Sequence, residues 1–152
     1  MGLLDLASSA SAWRGYEYYK ANKVETYRGI YSSQIQGKVS GSENSHYDVL
    51  IDTERPRNSK CNCPHAYGKR IICKHMIALY FTAFPEEANK YYNDIIAYEE
   101  EEEKRQEELE EALIDYVSKM KKSDLQEVLL ELLFNGPEWQ YDRFIREYIE
   151  TE

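Results

Sequence analysis

The chain has 152 residues, 42% of them hydrophobic and 13% aromatic, with a formal net charge of −9. That length suits one ordinary domain, or a small one with a helical appendage, and the apolar share excludes wholesale disorder. The charge is unevenly split: residues 1–84 hold eleven Lys/Arg against seven Asp/Glu, and residues 85–152 hold eight against twenty-one. A pI near 4.9 weighs against long-range attraction to nucleic acid, although a basic face on the first half can still meet phosphates locally.

Three cysteines is an odd number, and Cys61 and Cys63 are too close in sequence to bridge comfortably. A disulfide scaffold is therefore not expected, and a reducing compartment, the cytoplasm, is the natural setting. Ser9-Ala10-Ser11-Ala12 mimics a signal-peptidase site, but no basic region precedes it and Asp5 breaks the short apolar stretch. Leu6 fails the myristoylation pattern, and no apolar run approaches a membrane span, so no membrane partner is expected.

In chain order, Ser8, Ser9 and Ser11 are candidate N-caps for a helix to about Lys20, with Asn22 as its stop. Trp13, Tyr16 and Tyr19 would share one face of it. Segments near 24–31, 33–40 and 47–52 are rich in Val, Ile, Tyr, Thr and Ser, and read as strands. The loop Ser40–Ser45 makes an antiparallel hairpin of the last two. Arg55-Pro56-Arg57-Asn58 then turns the chain into the cysteine segment.

Lys74–Phe84 lacks Gly and Pro and is apolar on most sides, which predicts a mostly buried helix. Pro85 ends it and suits the first turn of the next, a long helix over 86–120. Residues 98–108 form its acidic middle, with no apolar residue from Glu99 to Glu108. A solvated helical connector is expected there rather than a flexible linker, because Glu100–Lys104 and Glu101–Arg105 are favourable four-residue pairs. Ser123-x-x-Gln126 reads as a capping box opening a leucine-rich helix that stops near Asn135-Gly136, and Pro137 begins a last amphipathic helix through Ile149. The expected organisation is α+β: residues 1–97 hold the N-terminal helix, antiparallel strands and finger, 98–108 the connector, and 109–152 a C-terminal helical segment.

The chemistry concentrates between Cys61 and His75, which hold every cysteine and two of the three histidines. Cys-x-Cys, nine residues, then Cys-x-His offers three thiolates and one imidazole, the donor set of a closed tetrahedral zinc site. Cys61 and Cys63, two apart in extended chain, point the same way. Pro64 and Gly68 help fold the loop back. Cys73 and His75 do not face one metal within a regular helix, so Cys73 belongs just before the helix and His75 in its first turn. His65 is an alternative fourth ligand, and three buried cysteines without metal is the plainer reading. Lys60, Lys69, Arg70 and Lys74 surround the segment, where they would offset the charge of three thiolates.

Cys61-x-Cys63-Pro64, Gly68 and Cys73-Lys74-His75, followed by an apolar helix, resemble the SWIM zinc finger over roughly Tyr47–Phe84, about a quarter of the chain. Trp13-Arg14-Gly15-Tyr16 and Ser123-Asp124-Leu125 are similar, less specifically, to the flanks of stand-alone bacterial SWIM proteins. The resemblance implies a ββα unit, with a hairpin feeding the CxC and the CxH opening the helix. It implies one structural Zn²⁺ on Cys61, Cys63, Cys73 and His75. It also implies an interaction role, since SWIM fingers occur in Swi/Snf-type ATPases, transposases, signalling kinases and recombination factors as DNA- or protein-binding elements.

Catalysis is not expected. Four ligands close the metal shell, and the H-x-E followed by P-C-x-x-C pattern of zinc deaminases is absent. Asp48 and Asp52, with Lys60, loosely suggest a metal-dependent nuclease, a remote alternative. The main expectation is a zinc-binding module for protein–protein contacts in a larger assembly, a nucleic-acid-processing one among the options. Its partner, another protein or a second copy, would use the leucine face of Leu125, Leu129, Leu132 and Leu133. The alternative is direct DNA or RNA binding by the basic half through Lys69, Arg70 and Lys74. Trp13-Arg14, Tyr27-Arg28 and Tyr67 near Lys69-Arg70 have the aromatic–cation mixture that stacks bases, though Trp13 and Tyr16 also suit a small core.

Overall fold

A computed structural model describes residues 2–42 and 44–150. Glu43, within the expected hairpin loop, and the last two residues lie outside them. Among the described residues the order of elements is α1 (Ser9–Lys20), β1 (Val24–Tyr31), β2 (Gln34–Ser40), β3 (His46–Asp52), β4 (Lys60–Cys61), α2 (Lys74–Ala83), α3 (Pro85–Lys119), α4 (Lys122–Asn135) and α5 (Glu138–Tyr148). The fold is α+β, as the sequence predicts. The chain divides into two compact units, Met1–Ile96 and Ala97–Glu152.

The first unit is built on an antiparallel sheet of order β1-β2-β3-β4. Val39, Val49 and Ile51 come from alternate positions of the two central strands and are fully buried. Their cover is α2, whose Met76, Ile77, Leu79 and Phe81 are equally buried. In the short β4, Cys61 pairs with Val49, which brings the first cysteine to the edge of this core.

Helix α1 starts where Ser8 Oγ accepts the Ser11 amide at 3.2 Å, and it stops before Asn22, which adopts φ +51°. Tyr16 is buried, stacking on Tyr92 and meeting Phe81 edge-on, so it belongs to the core. Trp13 stacks on Tyr16 yet stays 40% exposed, an outer lid on that cluster.

The approach of α1 to α2 requires Gly15. A Cβ there would lie 2.4 Å from Ile77 Cβ and 3.0 Å from the Lys74 carbonyl oxygen. Since the second neighbour is main chain, the helices must separate to admit a methyl group. We expect Gly15→Ala to cost about 2 kcal/mol despite its better helix propensity, read as a lower denaturation midpoint.

N-terminal to α1, Leu3 is buried in the same core, and Ala7 forms a parallel bridge with Ile72, the residue before Cys73. The opening segment is thus part of the sheet-and-helix body.

Residues 98–108 are α-helical within α3, and the ion pairs there differ from those predicted. Lys104 pairs with Glu108 and Arg105 with Glu102, in place of Glu100–Lys104 and Glu101–Arg105. Every partner is exposed, so exchange among neighbouring glutamates changes little. The predicted capping box is also corrected. Helix α4 begins two residues early, with Lys121 at the N-cap, and Ser123 Oγ donates to its neighbour Asp124 instead of capping an amide. No residue between 97 and 150 is buried. None of these helices is long and apolar enough to cross a membrane.

Candidate metal centre

Cys61, Cys63, Cys73 and His75 converge at the junction of β4, the following loop and the start of α2. Their four donor atoms lie within 4.8 Å of one another, and all four residues are buried. Among the described residues, no other group of three or more His, Cys, Asp or Glu side chains is so disposed.

Local backbone chemistry explains the convergence. After Cys63 the chain turns tightly, with the amides of Ala66 and Tyr67 donating to the Cys63 carbonyl oxygen. Gly68 sits at φ +70°, a left-handed conformation that glycine adopts without a Cβ penalty. Cys73 is the N-cap of α2, in extended conformation, and its carbonyl accepts the amides of Met76 and Ile77. Leaving the helix at Cys73 is what lets Cys73 and His75, only two apart, face one point.

His75 turns Nδ1 toward the sulfurs, 3.8 Å from Cys61 Sγ and 3.9 Å from Cys73 Sγ. Donors at ordinary zinc bond lengths on a tetrahedron are about 3.5–3.8 Å apart, so this spacing fits a single ion. The ring lies between two tyrosines, Tyr47 at 4.5 Å and Tyr18 at 5.4 Å between centroids. Its other nitrogen, Nε2, is buried and has no hydrogen-bond partner among the described residues.

The thiols are electrostatically unequal. Cys73 is lowered to about 4, first because the Cys61 thiol hydrogen-bonds to it, then through His75 and the Met76 amide. Cys61 is driven far up by that same bond to Cys73 and by burial. Cys63 is raised by burial and by the nearby Cys73 charge. Three sulfurs this close favour one thiolate on their own; a divalent cation is what makes three tolerable.

Main-chain amides join the four expected cations as a source of charge compensation. The amides of Cys63, Ala66 and Met76 favour the charged forms of Cys61, Cys63 and Cys73 in turn. Lys60, Lys69 and Arg70 are exposed, and the Lys74 ammonium sits 4.3 Å from the centre of the Tyr18 ring. Amides are fixed by the fold and cost no side-chain entropy, so they suit the task better than mobile lysines.

His65 is exposed and stands outside the four-residue cluster. With Ser8, Ser11, Arg14 and Lys74 it lines a cleft of about 320 Å³ beside the cysteines. The carboxylates behind the remote nuclease reading do not act together. Asp48 is exposed. Asp52 is buried and fully used: it accepts from Gln34 Nε2 at 2.9 Å and from the amides of Glu54 and Arg55 at 3.1 and 2.7 Å. Those bonds, Gln34 first, hold its carboxyl below the usual range, and they tie the end of β3 to the loop that delivers β4.

Three roles were missed in the sequence. Tyr18 and Tyr47 flank His75, and Arg57 joins Arg70 in lining one cleft of about 280 Å³. Nothing in the spacing separates those tyrosines from the other twelve; only the tertiary packing of α1 and β3 selects them.

No curated protein and no solved structure matches the chain. The SWIM zinc finger family model matches residues 47–84, spanning β3 to the end of α2 with all four clustered side chains. The chain therefore carries a SWIM zinc finger, a zinc-binding module whose cysteine–histidine cluster suits one structural zinc ion.

Proposed function

We propose that Cys61, Cys63, Cys73 and His75 hold one Zn²⁺, and that the protein is a non-catalytic interaction module joining protein partners in a larger cytoplasmic assembly. Four protein donors fill a tetrahedral shell, leaving no open position for a substrate. The reducing cytoplasm keeps three clustered thiols available to metal.

The observation that carries the partner reading is the bare apolar surface of the second unit. Leu125, Leu129 and Leu132 are exposed, as are Phe134 and Trp139, and among the described residues of the unit none is buried beneath them. A helical segment that fully buries none of its leucines gains its stability by contact with something else.

A second reading, direct nucleic-acid binding, is favoured by one feature of the first unit. Arg57 and Arg70 line the same cleft, and neither has an ion-pair partner among the described residues. Lys69 and Lys74 complete the basic group that this reading uses.

One comparison tests both. The full chain and a Leu129→Asp/Leu133→Asp variant serve as bait in parallel at low and high salt. The first reading expects the protein partner to be lost from the variant while zinc content stays unchanged, with little effect of salt. Retention of all partners by the variant would overturn it. Nucleic-acid binding instead expects Arg57→Ala/Arg70→Ala to lose affinity, and the wild type to weaken by about one log unit per log unit of salt for each phosphate contact.

A further inference from the structure

The second unit has an apolar groove of about 340 Å³ between its last two helices. Leu129, Leu132 and Leu133 of α4 form one wall, and Trp139, Phe144 and Tyr148 of α5 the other. Leu132 and Trp139 are each 61% exposed. Leu125, the remaining member of the leucine face, is exposed outside the groove.

The charges around this groove say what covers it. Residues 97–152 carry seven Lys/Arg and eighteen Asp/Glu, so a basic partner would be drawn to most of that surface. The groove differs: its only charged liners are Arg143 and Glu147, one of each sign. They are four apart on α5 and already bonded, Arg143 Nε to Glu147 Oε1 at 2.9 Å.

A balanced pair one turn apart is self-complementary. If two α5 helices cross antiparallel about an axis near Ile145, each Arg143 meets the partner's Glu147, and the relation is reciprocal. A two-fold contact demands that reciprocity, because the same patch serves both sides. Bonding through Nε leaves the two Nη groups of Arg143 to address a second carboxylate. The aromatic side chains beside the pair supply rigid area suited to the centre of an interface.

Resting on the reading that the leucine face meets a protein partner, we infer that this partner is a second copy of the chain. The α4–α5 groove forms an isologous dimer around Trp139, Phe144 and the Arg143/Glu147 pair. The dimer supplies the interior that residues 97–150 lack alone.

Sedimentation of the full chain across the micromolar range tests this. We expect a species of twice the 18.0 kDa chain mass. Arg143→Glu and Glu147→Arg each set like charges across the axis, and each should raise the dimer dissociation constant roughly tenfold. Mixing the two variants in equal amounts should restore dimer, because each then offers the other the opposite charge. Helix content by circular dichroism should be unchanged in both, which separates the effect from misfolding.

A wild-type monomer throughout that range overturns the inference, and so does a dimer insensitive to both substitutions. The broader reading fails separately. A monomer that binds the dye anilinonaphthalene sulfonate on its apolar face leaves a different protein partner in place. A monomer that binds no dye removes both.

Discussion

Removing the metal is expected to unfold Met1–Ile96 while leaving the helices of Ala97–Glu152 intact. The buried sulfurs of Cys61, Cys63 and Cys73 lie inside the same core as Val49, Met76 and Ile77. Without an ion, that core must contain three polar sulfurs, one of them a thiolate, and an imidazole. A structural zinc site is worth about 10–16 kcal/mol of apparent binding energy at neutral pH, more than a unit of this size has to spare. Metal analysis should find one zinc per chain, and Cys73→Ser should lose it. Far-ultraviolet circular dichroism should then keep most of its helical signal, while amide resonances of the sheet collapse. A sheet that survives complete chelation would remove the structural role of zinc.

Acid should act in the same direction. In the unfolded metal-free chain all three cysteines are thiols at neutral pH, with ordinary values of about 8.5. Zinc binding at neutral pH must therefore release about three protons. Apparent affinity should fall by about three log units for each unit of pH lost below neutrality, measured by competition with a chromophoric chelator.

Asp52→Ala is expected to have the next largest effect, about 3 kcal/mol of stability. The loss has a specific origin. Gln34 Nε2 and the amides of Glu54 and Arg55 all donate to this one buried carboxylate. Truncation leaves these donors without an acceptor, and the loop that delivers β4 loses its tether to β3.

The pH dependence has a definite sign. Asp52 is held below the usual carboxylate range, so its contribution is complete above the unfolded-state value and is lost as pH falls through the folded-state value. The gap between wild type and variant should thus narrow on acidification. A gap that widened in acid would contradict the assignment. Zinc content at neutral pH separates a loosened loop from a lost site, since Asp52 is not a member of the cluster.

The parts of this protein legible from sequence are those fixed by near neighbours in the chain. Cysteines two apart, a proline and a glycine in the loop, and a helix opening at Lys74 announced the cluster and its place in the fold. Segments rich in Val, Ile, Tyr, Thr and Ser near 24–31, 33–40 and 47–52 announced the sheet, and apolar spacing announced the helices. What escaped notice depends on distant partners or on near-equal local choices. Tyr18 and Tyr47 come to His75 from different elements, and Asp52 meets Gln34 across eighteen positions of sequence. At Ser123 the side chain had two bonding choices of similar strength, and a neighbouring carboxylate took it from the cap. Among the crowded glutamates of α3 many pairings are nearly equal in energy, so their choice is not encoded.

The buried Leu3 and the bridge from Ala7 to Ile72 bear on how portable the finger is. The family pattern covers 47–84, yet the floor of that region includes Leu3, Tyr16 and Val39, contributed from well before it. A graft of the matched segment into another scaffold would carry the four clustered side chains without the surfaces that hold them in place. In this protein the recognisable signature and the smallest heritable folding unit have different boundaries, and an engineer should cut at the second.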